Sequence, residues 1–161
     1  MYLDLRAHID SVVGNLEGSW VAKKSSYESD ACKGLGFKCE MGRYADASWN
    51  NYSIELKKGT SIWIDIVRYS EILLDHPHLN VDTSVTLFLV PDKDKSHISD
   101  VVCVPTSRLI SKLNLDKEAA KVIVSLKEMM PRQLNAQASL TVKDVKEMSV
   151  FSSDMISSLL R

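Results

Sequence analysis

Apolar residues recur along this chain with two periods, and the change of period marks out the elements. Leu3, Leu5, Ile9, Val12, Val13 and Leu16 follow a near-helical spacing, which predicts an amphipathic helix over residues 2–16, weakened or ended by Gly14 and Gly18. A second helix is expected from Ala22 to Lys33, closed by Gly34 and Gly36. The period then shortens to two. Phe37, Cys39 and Met41 alternate with Lys38, Glu40 and Gly42, and Tyr52, Ile54 and Leu56 alternate with Ser53, Glu55 and Lys57. Both stretches read as strands, separated by a polar turn at Ala47–Asn51. After Gly59 and Thr60, the run from Ser61 to Asp75 is apolar round much of a helical circumference, so a largely buried helix capped by Ser61 is expected.

The segment His76–Thr83 reads as a loop, and Val85–Val90 as a strand buried on both faces. The charged turn Pro91–His97, a strand at Val101–Val104 and a short helix opening at Pro105 follow. Lys117–Met130 predicts a further helix, stopped by Pro131. A loop then leads to a helix capped by Thr141, and the chain ends in a helix or a frayed tail. Strand, buried helix and strand in succession suit a crossover within one sheet. The expected fold is therefore α/β, a mixed central sheet flanked by helices. A single domain spans 1–161, its core at about 22–115, with 116–161 a helical extension of unknown role.

Candidate chemistry centres on Asp46 and on the strand that carries Glu55 and Lys57. Residues two apart in a strand share a face, so Glu55 and Lys57 point one way while Ile54 and Leu56 point into a core. Two antiparallel strands would bring Asp46 close to Glu55. Two carboxylates with an ammonium beside them suit a hard divalent cation, which takes oxygen ligands and leaves room for water and phosphate. An acidic residue followed after a gap by E-x-K on a strand resembles the PD-(D/E)XK nuclease superfamily, and most of all the small type II restriction endonucleases. Ala45 stands where the motif has its proline. The order of elements after Ile54 agrees with that superfamily's common core.

The resemblance implies a restriction-endonuclease-like core and a Mg2+ site, with Mn2+ able to substitute, formed by Asp46, Glu55 and the carbonyl of Leu56. Lys57 would orient water or stabilise developing charge. An early helix would supply an extra carboxylate, Glu28 in the first instance and Glu17 in the second. The partner would be double-stranded DNA, cut by a homodimer with one site per strand. Arg43, Asn50, Asn51 and Lys58 are candidate DNA contacts, with Arg68, Lys93, Lys95 and Trp49 as further residues near the same cleft. The alternatives are a repair, junction-resolving or RNA-cutting nuclease of the same fold, and a non-enzymatic α/β interaction protein whose Glu/Lys face is merely solvated.

Composition changes this picture little. Of 161 residues, 45% are hydrophobic and 25% charged, the balance of a soluble globular protein, and the net charge of −1 neither announces nor excludes a nucleic-acid binder. No apolar run is long enough to span a membrane and no secretion signal opens the chain. Cys32, Cys39 and Cys103 form no C-x-x-C, which suggests reduced structural thiols and a cytoplasmic location. Pro91-Asp92 sits in a charged turn without an E-x-K strand after it. Asp144 and Lys146 diverge on a helix, and His76 and His78 lack a third ligand at metal spacing. His97 could contact DNA from its turn.

Overall fold

In the computed structural model, residues 2–42, 45–75, 83–130, 132 and 136–153 are described. Two helices precede the first strand: α1 at Leu3–Val12 and α2 at Glu28–Leu35. The expected helix from Ala22 is therefore shorter and later. A tight helical turn at Ser19–Ala22 comes first, and Lys23–Tyr27 crosses to α2 without helical structure. Gly36 adopts a left-handed φ of 69° and its N–H reaches back to the end of α2, which reverses the chain into β1 at Lys38–Cys39. The reversal sets Cys39 beside Cys32 with 5.9 Å between Cα atoms, and the two are joined as a disulfide. The expectation of three free thiols thus holds for Cys103 alone, which is buried on the central sheet.

The central sheet has the order β1-β2-β3-β5-β6-β8. It contains β2 at Ala47–Trp49, β3 at Tyr52–Lys58, β5 at Ser84–Pro91, β6 at Ile98–Pro105 and β8 at Phe151–Ser152. Ala47–Trp49, expected to turn, is strand, and the turn itself is reduced to Asn50 and Asn51. Asn50 takes a φ of 50°, a conformation that asparagine tolerates better than most residues. Strands β2 and β3 pair antiparallel with Ala47 opposite Ile54, and β3 pairs parallel with β5, Glu55 lying opposite Thr86. A single parallel pair in an otherwise antiparallel sheet makes it the mixed sheet that the sequence predicted.

The link from β3 to β5 contains the main correction. Ser61 caps no helix. Ser61–Asp65 is a strand, β4, and the helix α3 begins only at Ile66 and runs to Asp75. Ile62 and Ile64 are buried while Ser61, Trp63 and Asp65 are exposed, the alternation of a half-covered strand. β4 pairs antiparallel with β7, Gln137–Thr141, in a separate two-stranded sheet. Helix α3 is capped by Asp65, whose carboxylate accepts from the N–H groups of Val67 (3.0 Å) and Arg68 (3.3 Å). The positions His76 and His78 lie outside the described residues.

The remaining helices follow expectation: α4 at Thr106–Lys112, α5 at Lys117–Met129 capped by Asp116, and α6 at Val142–Met148 with a Thr141–Asp144 capping box. Helices α1 and α2 cover one face of the sheet, packing on Ile54, Leu56, Val85, Leu87 and Leu89. The other face, with Phe88, Val102 and Val104, packs against α3 to α6 and the inner side of the β4–β7 pair. Residues beyond 116 are therefore more than a helical extension. They supply β7 to the small sheet and β8 to the edge of the large one.

Phe151 on β8 is 2% exposed and belongs to the core on the α1/α2 face. Phe151→Ala should lower stability by about 3–5 kcal/mol in chemical denaturation, the range for emptying a buried aromatic site. A loss near zero would show that the C-terminal strand is not part of the cooperative unit.

Candidate functional site

Strand β3 has two unlike faces. Ile54 and Leu56 enter the core beneath α1 and α2, and alternation turns Glu55 and Lys57 to the side where α3 packs. Glu55 is 9% exposed. Its carboxylate forms an ion pair through Oε2 with Nη1 of Arg68 on α3, and its Oε1 lies 3.7 Å from Nζ of Lys57. Behind them, Tyr69 and Thr86 share a buried hydrogen bond of 3.0 Å. Arg68 and Tyr69 are thus turned inward. An arginine in the middle of an apolar helix was the only signal for this.

Asp46 sits where β2 begins. Its backbone N–H donates to Ile54 O at 2.9 Å, and its carboxylate Oδ2 accepts from the N–H of Leu56 at 2.8 Å. The side chain takes the bond that β2 would have made had it started earlier. The N–H and C=O of one strand residue leave the same edge, so the Leu56 carbonyl emerges on the side where Asp46 is anchored. The negative charge of Asp46 bears on Glu55, Arg68 and Tyr69. The hairpin therefore places Asp46 against the Leu56 peptide, which lies between Glu55 and Lys57 on β3.

Protonation reflects this crowding. Burial pushes the Glu55 carboxyl up to about 7, against the pull of Arg68 and Lys57 and with a further push from Asp46. Burial also works against the Arg68 charge, but Glu55 beside it holds the guanidinium above its ordinary value. Tyr69 is raised to about 12 by burial. Tyr27 on the opposite face is likewise raised to about 12 by burial, with Glu28 adding to it; its hydroxyl oxygen accepts from the Lys58 N–H at 3.0 Å.

The other sequence candidates divide. Glu28 opens α2 and influences Tyr27 and Lys58. Among the described residues no three His, Cys, Asp or Glu side chains are grouped to hold a metal, so Glu28 does not complete a triad with Asp46 and Glu55. Lys58 lies on the α1/α2 side, its ammonium 4.8 Å from the centre of the Tyr27 ring and donating to Lys23 O at 2.6 Å. Burial and the charge of Lys95 lower its pKa.

Asn50 is at the far end of β3, about 10 Å of strand from the Glu55 level, and donates to Asp4 at 3.3 Å. Asn51 shares that turn and is exposed. Trp49 stacks on His8 at 4.7 Å rather than projecting from the site. His97 pairs with Asp92 at 2.9 Å. Arg43 lies outside the described residues. The single cleft expected from the cations thus separates: Lys57 and Arg68 stand over Glu55, while Lys58, Lys93 and Lys95 line a different groove.

The donor set suits Mg2+. Two carboxylates and a backbone carbonyl are the hard oxygen ligands this ion takes, and it keeps waters in its remaining positions. A third protein carboxylate is not required.

A carboxyl that holds its proton more tightly in the folded than in the unfolded chain stabilises the fold in acid. For Glu55 that contribution is full below its ordinary 4.5 and is lost as pH rises through about 7. In chelator, the wild type should lose up to about 3 kcal/mol between pH 5 and 8 that the Glu55→Gln protein does not lose. Urea unfolding of both proteins across that range checks this. Parallel pH profiles would show that Glu55 is ionised throughout.

No protein-family model, curated protein or solved structure matches this chain, so the chemistry of the cluster rests on its residues and their geometry.

Proposed function

We propose that this protein is a Mg2+-dependent endonuclease that hydrolyses phosphodiester bonds of double-stranded DNA, of the restriction-endonuclease-like kind that its Asp46…Glu55-x-Lys57 pattern resembles. The observation that carries the reading is the Asp46 bond to the Leu56 N–H. It fixes one carboxylate against the Leu56 peptide, next to Glu55 along β3. The order supports it too: although β4 intervenes, the strand with Glu55 and Lys57 is followed by the helix α3 and then by a strand of the same sheet, as the resemblance implies.

Asp46, Glu55 and the Leu56 carbonyl would hold the ion, and Mn2+, with similar oxygen preferences, should replace it. When bound, Mg2+ supplies charge that acidifies a water and neutralises the phosphate. The chain's own residues do the rest. Burial raises the Glu55 pKa, and a cation held there would favour its ionised form. Arg68 holds that carboxylate in place from behind. Lys57, on the same face and more exposed than Arg68, can reach the water or a non-bridging phosphate oxygen and offset the negative charge that grows there. The water gives a proton to solvent as its oxygen bonds to phosphorus, one ester P–O bond breaks, and the departing oxygen takes up a proton from solvent. The products are a phosphate monoester and a free hydroxyl. Cutting both strands of a duplex calls for two such sites, which a symmetric homodimer would supply.

Incubation with mixed plasmid and phage DNA should give cleavage in Mg2+ and none in chelator. Glu55→Ala and Lys57→Ala, shown to be folded by circular dichroism, should each cut at least about 100-fold more slowly. Discrete bands would establish sequence specificity and a smear would remove it while keeping the nuclease. Intact plasmid, phage and branched DNA with folded wild type would overturn the proposal.

A further inference from the structure

The second cation group has a setting of its own. Past the end of β3 the chain turns at Gly59 (φ 132°) into β4, and a groove of about 650 Å³ opens between this turn, the segment before α2 and the end of β5. Lys23, Lys24, Lys58, Lys93 and Lys95 line it. Among the described residues none of the five makes an ion pair with a carboxylate. The one acid at the rim, Asp92, is already engaged. Its carboxylate accepts from the N–H groups of Ser96 at 2.9 Å and His97 at 3.3 Å, and His97 Nδ1 lies 2.9 Å away. A chain with formal net charge −1 thus concentrates five cations along one groove.

Trp63 forms part of the same wall. It stands in the middle of β4 between Ile62 and Ile64, both buried, yet is itself 55% exposed. A large aromatic left open to water among lysines that no described carboxylate neutralises offers a flat face and a set of phosphate-binding charges together. Groups that bind phosphate and stack a base are what a polynucleotide strand with unpaired bases requires. A duplex hides its base faces except at its ends. An acidic peptide would use the lysines but gain nothing particular from the indole.

We propose that this groove binds single-stranded nucleic acid, with Lys23, Lys24, Lys58, Lys93 and Lys95 on the phosphates and Trp63 stacking on a base. Lys58 follows directly after Lys57, so the groove begins one residue from the carboxylate cluster, on the other face of β3. The purpose assigned to it rests on the nuclease reading: the substrate class would be DNA in which a single-stranded arm adjoins the strand to be cut. Its evidence does not rest on that reading.

The test is binding in chelator, where no cleavage intrudes. A fluorescein-labelled oligothymidylate of about 12 nucleotides is titrated with wild type, Trp63→Ala, Trp63→Phe and Lys93→Glu/Lys95→Glu, with a blunt duplex of equal length, polyglutamate and anionic phospholipid vesicles as competitors. The single strand should bind and should quench tryptophan emission of the wild type. Trp63→Ala should weaken binding roughly tenfold, Trp63→Phe should restore most of it, and the double lysine variant should weaken it and flatten the salt dependence by about 1.4 in log–log slope. Equal competition by the duplex, by polyglutamate or by vesicles, or unchanged binding by Trp63→Ala, would overturn the proposal, as would no binding at low salt. A protein that binds the strand but cuts no DNA would sink only the nuclease reading. One that cuts DNA but ignores the strand would sink only the groove.

Discussion

A carboxylate taken out of water must be met by positive charge or give up its own, and Glu55 does some of both. It lies on the face of β3 that packs against α3, almost closed to solvent, with Arg68 and Lys57 on its two oxygens and a proton held up to about 7. Much of the surrounding architecture serves this arrangement. Arg68 can reach Glu55 only because α3 starts at Ile66, and α3 starts there because Asp65 caps it after β4 has ended. The parallel pairing of β3 with β5 then puts Thr86, tied to Tyr69, beside Glu55 and closes the polar pocket from behind. A charge, a cap and a strand register are thus interdependent within a few residues.

The two faces of β3 divide the labour of the fold. Ile54 and Leu56 join the core under α1 and α2, where only packing matters. Glu55 and Lys57 occupy a face whose polar character is tolerated because it is finished by neighbours rather than by water. Asp46 belongs to neither face. It stands in the plane of the sheet at the point where β2 stops short, using its side chain where a strand would use its backbone.

The local elements were legible in the sequence where one period dominated. The alternation of Tyr52–Lys58, the apolar block before Pro91 and the Thr141 cap all describe what the chain does. Ser61–Asp75 misled because Ile62, Ile64 and Ile66 fit a two-residue repeat while Ile62, Ile66 and the apolar residues after them also fit a helix. What decides is β7, far along the chain, which pairs with the first five residues only. Ala47–Trp49 reads as a polar turn for the same kind of reason, since its strand character comes from β1 and β3 on either side. For the site, the proximity of Asp46, Glu55 and Lys57 follows from hairpin spacing, whereas the inward turn of Arg68 and the separation of Lys58 from Lys57 depend on which helix covers which face.

Cys103 lies mid-strand in β6, with no solvent exposure, and burial pushes its thiol far above the ordinary range. With Cys32 and Cys39 bonded to each other, it is the chain's one free sulfhydryl. Alkylating reagents need thiolate and access, and the native fold denies both. The sulfur is therefore a silent internal clock: its rate of alkylation measures how often the central sheet comes apart, and it does so without any label being introduced.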